Sequence, residues 1–364
     1  MTDIPLVDLK IQFERLAGEI EPAIRHVLGG MQLILGPELA VFEGEFGQFV
    51  GVPHCVGVGS GHDALAPALR ACGLQPGDEV LVPAPSFVSS ASAVVQAGGV
   101  PRFVDVAPET LLMDLASARP TLTDSTRAIL PVHLYGQMVA MDMVLELARE
   151  EGLLVVEDAS QAHGAAFFGR SAGAWGDAGC FSFYPGKNLG AYGEGGAVTT
   201  RDPEVAERVC LLRNQGSAAK YEHLEIGCNS RMHEIQAAIL RIKLRHLADW
   251  NDARRRLAAR YDEHLAPLPV TPVAAAQGTH ARHLYVVRCN RRDEVGAALK
   301  RQGIGAGIHY PKALHQQPAL ARFASGPLPN AEAAAAEILS LPLYPELTTE
   351  QQDRVITALR AALT

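Results

Sequence analysis

Short apolar runs alternate with longer amphipathic stretches through the first two hundred residues. The runs Gly77–Pro83, Val100–Val106, Thr126–Tyr135 and Leu153–Val156 predict strands, and Pro37–Val50, Ser89–Ala97, Met141–Glu151 and Pro203–Arg213 predict helices. A strand followed by a helix and then another strand brings the second strand back parallel to the first. Repetition at this spacing therefore predicts an α/β chain with a mostly parallel sheet and helices on its faces. An amphipathic helix over 11–28 precedes it, with Phe13, Leu16, Ile20, Ile24 and Val27 at helical spacing and Gly29-Gly30 ending it. The segment opened by Asn229 and Ser230 predicts a long helix reaching Tyr261, broken near Trp250-Asn251 and capped by Asn229 or Ser230, unless its amides seat an anion. Pro267–Pro272 then reads as a linker. Strands His283–Arg288 and Ile304–His309, with helices Asp293–Gln302, Ala331–Leu339 and Thr348–Ala362, predict a smaller α/β domain. The expected division is 1–250 and 251–364, within the range that 364 residues allow.

Composition narrows the function. Apolar residues make up 48% of the chain, enough to bury a core and to exclude global disorder. The net charge is −8, and the longest basic run is Arg254-Arg255-Arg256, which argues against nucleic acid as a partner. The six cysteines stand singly, with no C-x-x-C pair, as expected of reduced thiols with no metal site. No signal peptide is visible after Met1, and the apolar runs are too short to span a bilayer, so a cytoplasmic protein with no membrane contact is expected.

Three stretches carry chemistry. In Cys180-Phe-Ser-Phe-Tyr-Pro-Gly-Lys-Asn-Leu-Gly190 a short strand breaks at Pro185-Gly186 and presents Lys187 among aromatics and glycines. Partial desolvation lowers a lysine's pKa and frees its amine as a nucleophile. Of the other five lysines, Lys10 is near the terminus, Lys220 and Lys312 are in loops, and Lys243 and Lys300 sit in charged helical runs, so Lys187 alone has the expected setting. A Walker phosphate loop is excluded because Phe181 and Asn188 stand where it needs glycine and a hydroxyl, which leaves a structural turn as the competing reading. Cys55-Val-Gly-Val-Gly-Ser-Gly-His-Asp-Ala-Leu65 predicts a strand, a glycine turn and a helix starting at Asp63, which could seat a phosphate. His62 spoils a dinucleotide fingerprint there, and a plain tight turn fits as well. Leu153-Leu-Val-Val-Glu-Asp-Ala-Ser-Gln-Ala-His163 predicts a buried strand with Glu157, Asp158 and Gln161 at its carboxyl end, where open α/β sheets bind ligands. Asp158 would face a cation or a protonated ring there, or cap the following turn. His309-Tyr310-Pro311 ends a later strand facing the large domain.

These stretches, with Gly77-Asp-Glu-Val, Pro131-Val-His-Leu-Tyr-Gly136, Arg213-Asn-Gln-Gly216 and Asn229-Ser-Arg-Met, resemble in this order the DegT/DnrJ/StrS family of pyridoxal-phosphate sugar aminotransferases. The resemblance covers nearly the whole chain and implies the aspartate-aminotransferase-like fold. It implies that Lys187 forms the Schiff base with pyridoxal 5'-phosphate, which cycles through its pyridoxamine form. Asp158 would hold the pyridine nitrogen protonated, Gln161 would lie near the phenolic oxygen, and Phe87 would stack on the ring. Ser182 with the backbone of Gly61 and His62 would seat the phosphate, although the family usually has threonine at position 62. Asn229 would reach the phosphate of a neighbouring subunit, implying a homodimer with shared active sites. Position 233, histidine here, is more often acidic in the family. Substrate contacts would come from His309 and Tyr310, with Tyr184, Arg213 and Lys220 as weaker candidates. The implied reaction is amination of carbon 3 of a dTDP-3-keto-6-deoxyhexose with L-glutamate as donor. Competing readings are a 4-keto-sugar or UDP-3-keto-uronic-sugar aminotransferase, a cofactor-binding regulatory protein without turnover, and a nicotinamide-dependent oxidoreductase.

Overall fold

In the computed structural model, which describes residues 3–364, a seven-stranded sheet carries the larger core. Its strands are β1 (His54–Val58), β2 (Glu79–Pro83), β3 (Val100–Val104), β4 (Thr126–Ile129), β5 (Leu154–Asp158), β6 (Ala178–Ser182) and β7 (Gly196–Thr200). They lie in the order β1-β7-β6-β5-β4-β2-β3. The five strands from β6 to β3 run parallel, and β7 is antiparallel to both β6 and β1. Helices α1 (Leu9–Gly30), α2 (Pro37–Val50), α3 (Gly61–Ala71), α4 (Val88–Gln96), α5 (Met141–Glu151) and α6 (Pro203–Arg213) precede and connect the strands. Five are capped by the chemistry the sequence supplies, α2 by Gly51 in a left-handed conformation. Asp8, Ser60 and Asp202 accept first-turn amides of α1, α3 and α6, and Gly152 stops α5 in a left-handed conformation.

The predicted long helix is two helices, α7 (Glu234–Leu244) and α8 (Leu247–Leu265), and the break falls at Arg245-His246 rather than Trp250. The N-cap of α7 is His233, not Asn229 or Ser230. Glu234 is buried at its first turn and accepts the amides of Gly36, Glu38 and Leu39, so it serves the entry to α2. Beyond α8 a second, antiparallel sheet forms from β8 (Thr271–Pro272), β9 (Tyr285–Arg288) and β10 (Ile338–Leu341). The expected linker thus contributes a short strand, and the end of the expected 331–339 helix is a strand, α10 stopping at Glu337. Residues 304–309 are not a strand; only Ile304 and Gly307 make isolated bridges, to Ile4 and Ser340. Helices α9 (Arg292–Arg301), α10 (Pro329–Glu337) and α11 (Thr349–Leu363) cover this sheet. A second core gathers Tyr261, Tyr285, Val295, Leu299, Leu341 and Val355 around Ile4, so the N-terminal segment is clamped to the far end of the chain.

Candidate active site

Strand pleating decides what the end of β5 can do. Successive side chains leave opposite faces, so Glu157 and Asp158 cannot share a site. Glu157 is wholly buried and accepts the amides of Gly173, Trp175 and Gly176, with His133 Nε2 2.9 Å away. Burial pushes its carboxyl upward, but the His133 contact and the backbone amides outweigh that and hold it below the ordinary range. It is a structural anchor. Glu157→Gln replaces an acceptor oxygen by a donor facing those amides and is expected to destabilise the fold by about 3–5 kcal/mol, read by urea unfolding. The wild-type contribution is full above the unfolded carboxyl's pKa and is lost as pH falls through the lowered folded value.

Asp158 points the other way, into a cavity of about 860 Å³ at the carboxyl ends of β5 and β6. Its Oδ2 accepts from Ser90 Oγ at 2.7 Å and its Oδ1 from Ser160 N at 3.2 Å. Ser90 spends its one hydroxyl proton on that carboxylate, so Ser86 Oγ, 2.7 Å from Ser90 Oγ, is the donor of the pair. The two serines, one helical turn apart at the entry to α4, form a directed relay ending on Asp158.

Lys187 opens on the same cavity. Its turn is held by its own amide donating to the carbonyl of Tyr184, and the amide of Ala191 returning to Phe183. Burial lowers its pKa from the ordinary lysine value to about 8, and Asp158 acts in the opposite direction. The neutral amine is therefore far more abundant at physiological pH than on a surface lysine. A second buried lysine was not expected: Lys243 of α7 donates to the carbonyl of Gly190 at 2.7 Å and lies 3.9 Å from the ring centre of Tyr192. The helical pattern around it gave no sign of this, because α7 is covered by α1, α2 and the loop after Lys187, elements distant in sequence.

Gly61 opens α3 with Ser60 as N-cap, two residues earlier than expected. A Cβ on Gly61 would lie 2.4 Å from that of Ser182, so only glycine lets the helix entry meet the end of β6. That contact places helix amides beside a serine hydroxyl, an arrangement suited to a phosphate. Asp63 and Gly59 are tied together through Ser230 Oγ, which donates to Asp63 and accepts from Gly59 N. His62 lines the cavity with its Nε2 2.8 Å from Gln96 Oε1. Phe87, half exposed, faces Tyr310 with ring centres 5.5 Å apart. Gln161 accepts from Tyr135 N through Oε1 and donates to Tyr310 Oη through Nε2, leaving one amide proton for a ligand. His309 is fixed by Ser340 Oγ, and burial and Lys187 lower its pKa to about 4.

The structure thus brings Gly61, His62, Phe87, Asp158, Gln161, Ser182, Tyr184, Lys187, His309 and Tyr310 to one cavity. It does not bring three others. Arg213 is buried and donates to Glu43 Oε1 at 2.5 Å and to the carbonyl of Gly57 at 2.6 Å, so it is committed to the fold and not free for substrate. Lys220 lies exposed on a hairpin against the Tyr221 ring. Asn229 is exposed and paired with Asn214. Ser86, Ser90, Glu194 and His283 went unnoticed in the sequence; only the i, i+4 spacing of the two serines hinted at their contact.

The DegT/DnrJ/EryC1/StrS aminotransferase family model matches residues 14–360. The chain belongs to this family of aminotransferases. It is 48% identical to the dTDP-3-amino-3,4,6-trideoxy-alpha-D-glucose transaminase of Streptomyces venezuelae, over 98% of this chain and 95% of that one. It is 45% identical to the UDP-N-acetyl-3-dehydro-alpha-D-glucosamine 3-aminotransferase of Acidithiobacillus ferrooxidans, over 100% of this chain and 98% of that one. The crystal structure of S. venezuelae DesV in complex with a ketimine intermediate superposes with a TM-score of 0.96 at 47% identity, covering 99% of this chain and 98% of that one. The α/β architecture expected from the strand–helix alternation, and the aminotransferase fold that the resemblance implied, are therefore those of this sugar aminotransferase.

Proposed function

We propose that this aminotransferase uses pyridoxal 5'-phosphate to transfer an amino group from L-glutamate to carbon 3 of a dTDP-3-keto-6-deoxyhexose. The observation that carries the reading is that one cavity holds a desolvated lysine, a serine-braced carboxylate and a glycine-opened helix entry. The residues fit the cofactor. The amides at Gly61 and His62 and the hydroxyl of Ser182 would hold its phosphate, Asp158 its ring nitrogen, Gln161 its phenolic oxygen and Phe87 a ring face. When bound, the cofactor supplies the electron sink for the carbanion formed at the amino-bearing carbon. Asp158, held in place by its two donors, would stabilise a protonated ring nitrogen, and Lys187 would move the proton at the reacting carbon. His309, Tyr310 and Tyr184 stand at the cavity wall where a sugar would sit.

Asn229 and Lys220 enter the same reading as contributions of a second copy to the site. Exposed Met31, Leu33, Ile34, Leu35, Leu224 and Ile226 supply apolar surface for such a pairing. The dTDP-sugar relative supports the thymidine nucleotide, and the UDP-sugar relative at 45% identity supports a uridine one as the second reading.

The test is direct. Borohydride reduction of the cofactor-loaded protein should tag the peptide bearing Lys187. Glutamate should convert its visible spectrum to that of the pyridoxamine form. The dTDP-3-keto sugar should then be turned over faster than the 4-keto isomer and its UDP counterpart. A protein that binds the cofactor but shows no change with glutamate would be the regulatory alternative.

A further inference from the structure

Lys187 has a neighbour in the cavity whose chemistry the surrounding hydrogen bonds determine. The amide of Asn188 is fixed because its Nδ2 donates to the carbonyl of Ala281 and to Asn251 Oδ1, each at 2.8 Å. Asn251 is fixed in turn, its Nδ2 donating to the carbonyl of His163 at 2.8 Å. Asn188 Oδ1 can then only accept, so His283 Nδ1, 3.0 Å away, must carry a proton. The backbone leaves this ring little freedom. His283 N donates to the carbonyl of Tyr135, and its own carbonyl accepts from the buried Arg254. Burial, then the positive charges of Lys187 and Arg254 and the nearby rings of His309 and His163, hold the imidazole neutral. Nε2 therefore presents a lone pair, it has no protein partner among the described residues, and its ring lines the cavity that Lys187 enters.

We infer that His283 is a positioning residue whose Nε2 accepts a hydrogen bond from the free Lys187 amine and directs the amine's lone pair toward the reacting carbon. The residue beside the lysine in sequence, Asn188, selects the tautomer that makes this possible. A lysine on a flexible stem is a poor proton carrier unless its nitrogen is aimed, and misplacing a catalytic group by about 1 Å can cost on the order of 10²-fold. The inference rests on Lys187 being the reactive amine of the proposed function.

The first experiment needs no variant. Nitrogen-15 spectra of histidine-labelled, cofactor-stripped full-length protein at pH 7, with His283 assigned by difference against His283→Phe, should show the proton on Nδ1. A proton on Nε2, or an imidazolium, overturns the inference. Should the phenylalanine variant not fold, a neutron structure of the wild-type protein reads the same proton. In the folded variant, kcat should fall roughly tenfold with the sugar KM unchanged. The pH midpoint for trinitrophenylation of Lys187, read by peptide mapping of the stripped protein, should move down because the ammonium loses an acceptor. Asp158, His163 and His309, which act on the amine, and Tyr184, Tyr310 and Glu194, which line the same cavity, stay in place. Unchanged kcat and labelling would refute the positioning role. If wild-type protein loaded with cofactor gives no borohydride tag at Lys187, the proposed function itself fails, which separates the two outcomes.

Discussion

Lys187→Met is expected to abolish amino transfer while making the protein more stable. The lost proton transfer at carbon alone is worth about 10²–10⁴-fold in rate, and the covalent tether is lost with it. The stability gain follows from linkage. The unfolded lysine titrates at its ordinary value of 10.5 and the folded one at about 8, so between those values the unfolded state binds more protons and wild-type stability rises with pH. Methionine removes that dependence and keeps the packing. The variant should exceed wild type by roughly 1–2 kcal/mol below pH 8, less than the full shift implies because the cavity admits water, and the gain should vanish above about pH 10.5. Urea unfolding of stripped protein at pH 7 and pH 10 reads the difference. A variant that still aminates the sugar, or one no more stable at pH 7 than at pH 10 relative to wild type, would remove Lys187 from its assigned place.

Asp158→Asn is the second large effect. The carboxylate accepts from Ser90 Oγ and Ser160 N and leaves its outer lone pairs to the cavity. Asparagine keeps the shape but turns one acceptor into a donor, which meets either the Ser160 amide or the ligand. The charge-assisted bond to a protonated ring contributes about 1.5–3 kcal/mol. Affinity for pyridoxal 5'-phosphate should therefore fall about 10–150-fold, read by fluorescence titration of the stripped protein, with turnover falling at least as far. Ser90→Ala leaves the charge and removes one donor, so its loss should be smaller and in the same direction. Unchanged affinity in the asparagine variant would mean that Asp158 does not meet the ring.

Legibility in the sequence followed the range of the forces involved. The helices Pro37–Val50, Met141–Glu151 and Pro203–Arg213 were readable to the residue, because proline or acidic entries, and the glycine stops of the first two, are local signals. The lysine turn was readable because Pro185-Gly186 breaks the strand at once before a single cation set among aromatics and glycines, all within a few residues. Strand ends were less legible. Residues 304–309 carry strand-forming side chains, but Ile4 and Ser340 offer them only single bridges, and pairing is a property of the partner. The end of α10 was misread because alanine-rich helix runs straight into the apolar β10 without a breaker. Arg213 was misread because its partner, Glu43, lies 170 residues away.

By itself, the order of residues determined the α/β alternation, the glycine at the helix entry, the lysine on its turn and the acid at the end of a buried strand. Each rests on periodicity, backbone freedom or desolvation within a few neighbours. Only the folded chain decided that Glu157 braces a loop while Asp158 faces the cavity, that Ser86 donates to Ser90 and Ser90 in turn to that acid, and that Asn188 dictates where His283 keeps its proton. Hydrogen bonds have direction, and direction is set only when both partners have been carried to within about 3 Å of each other.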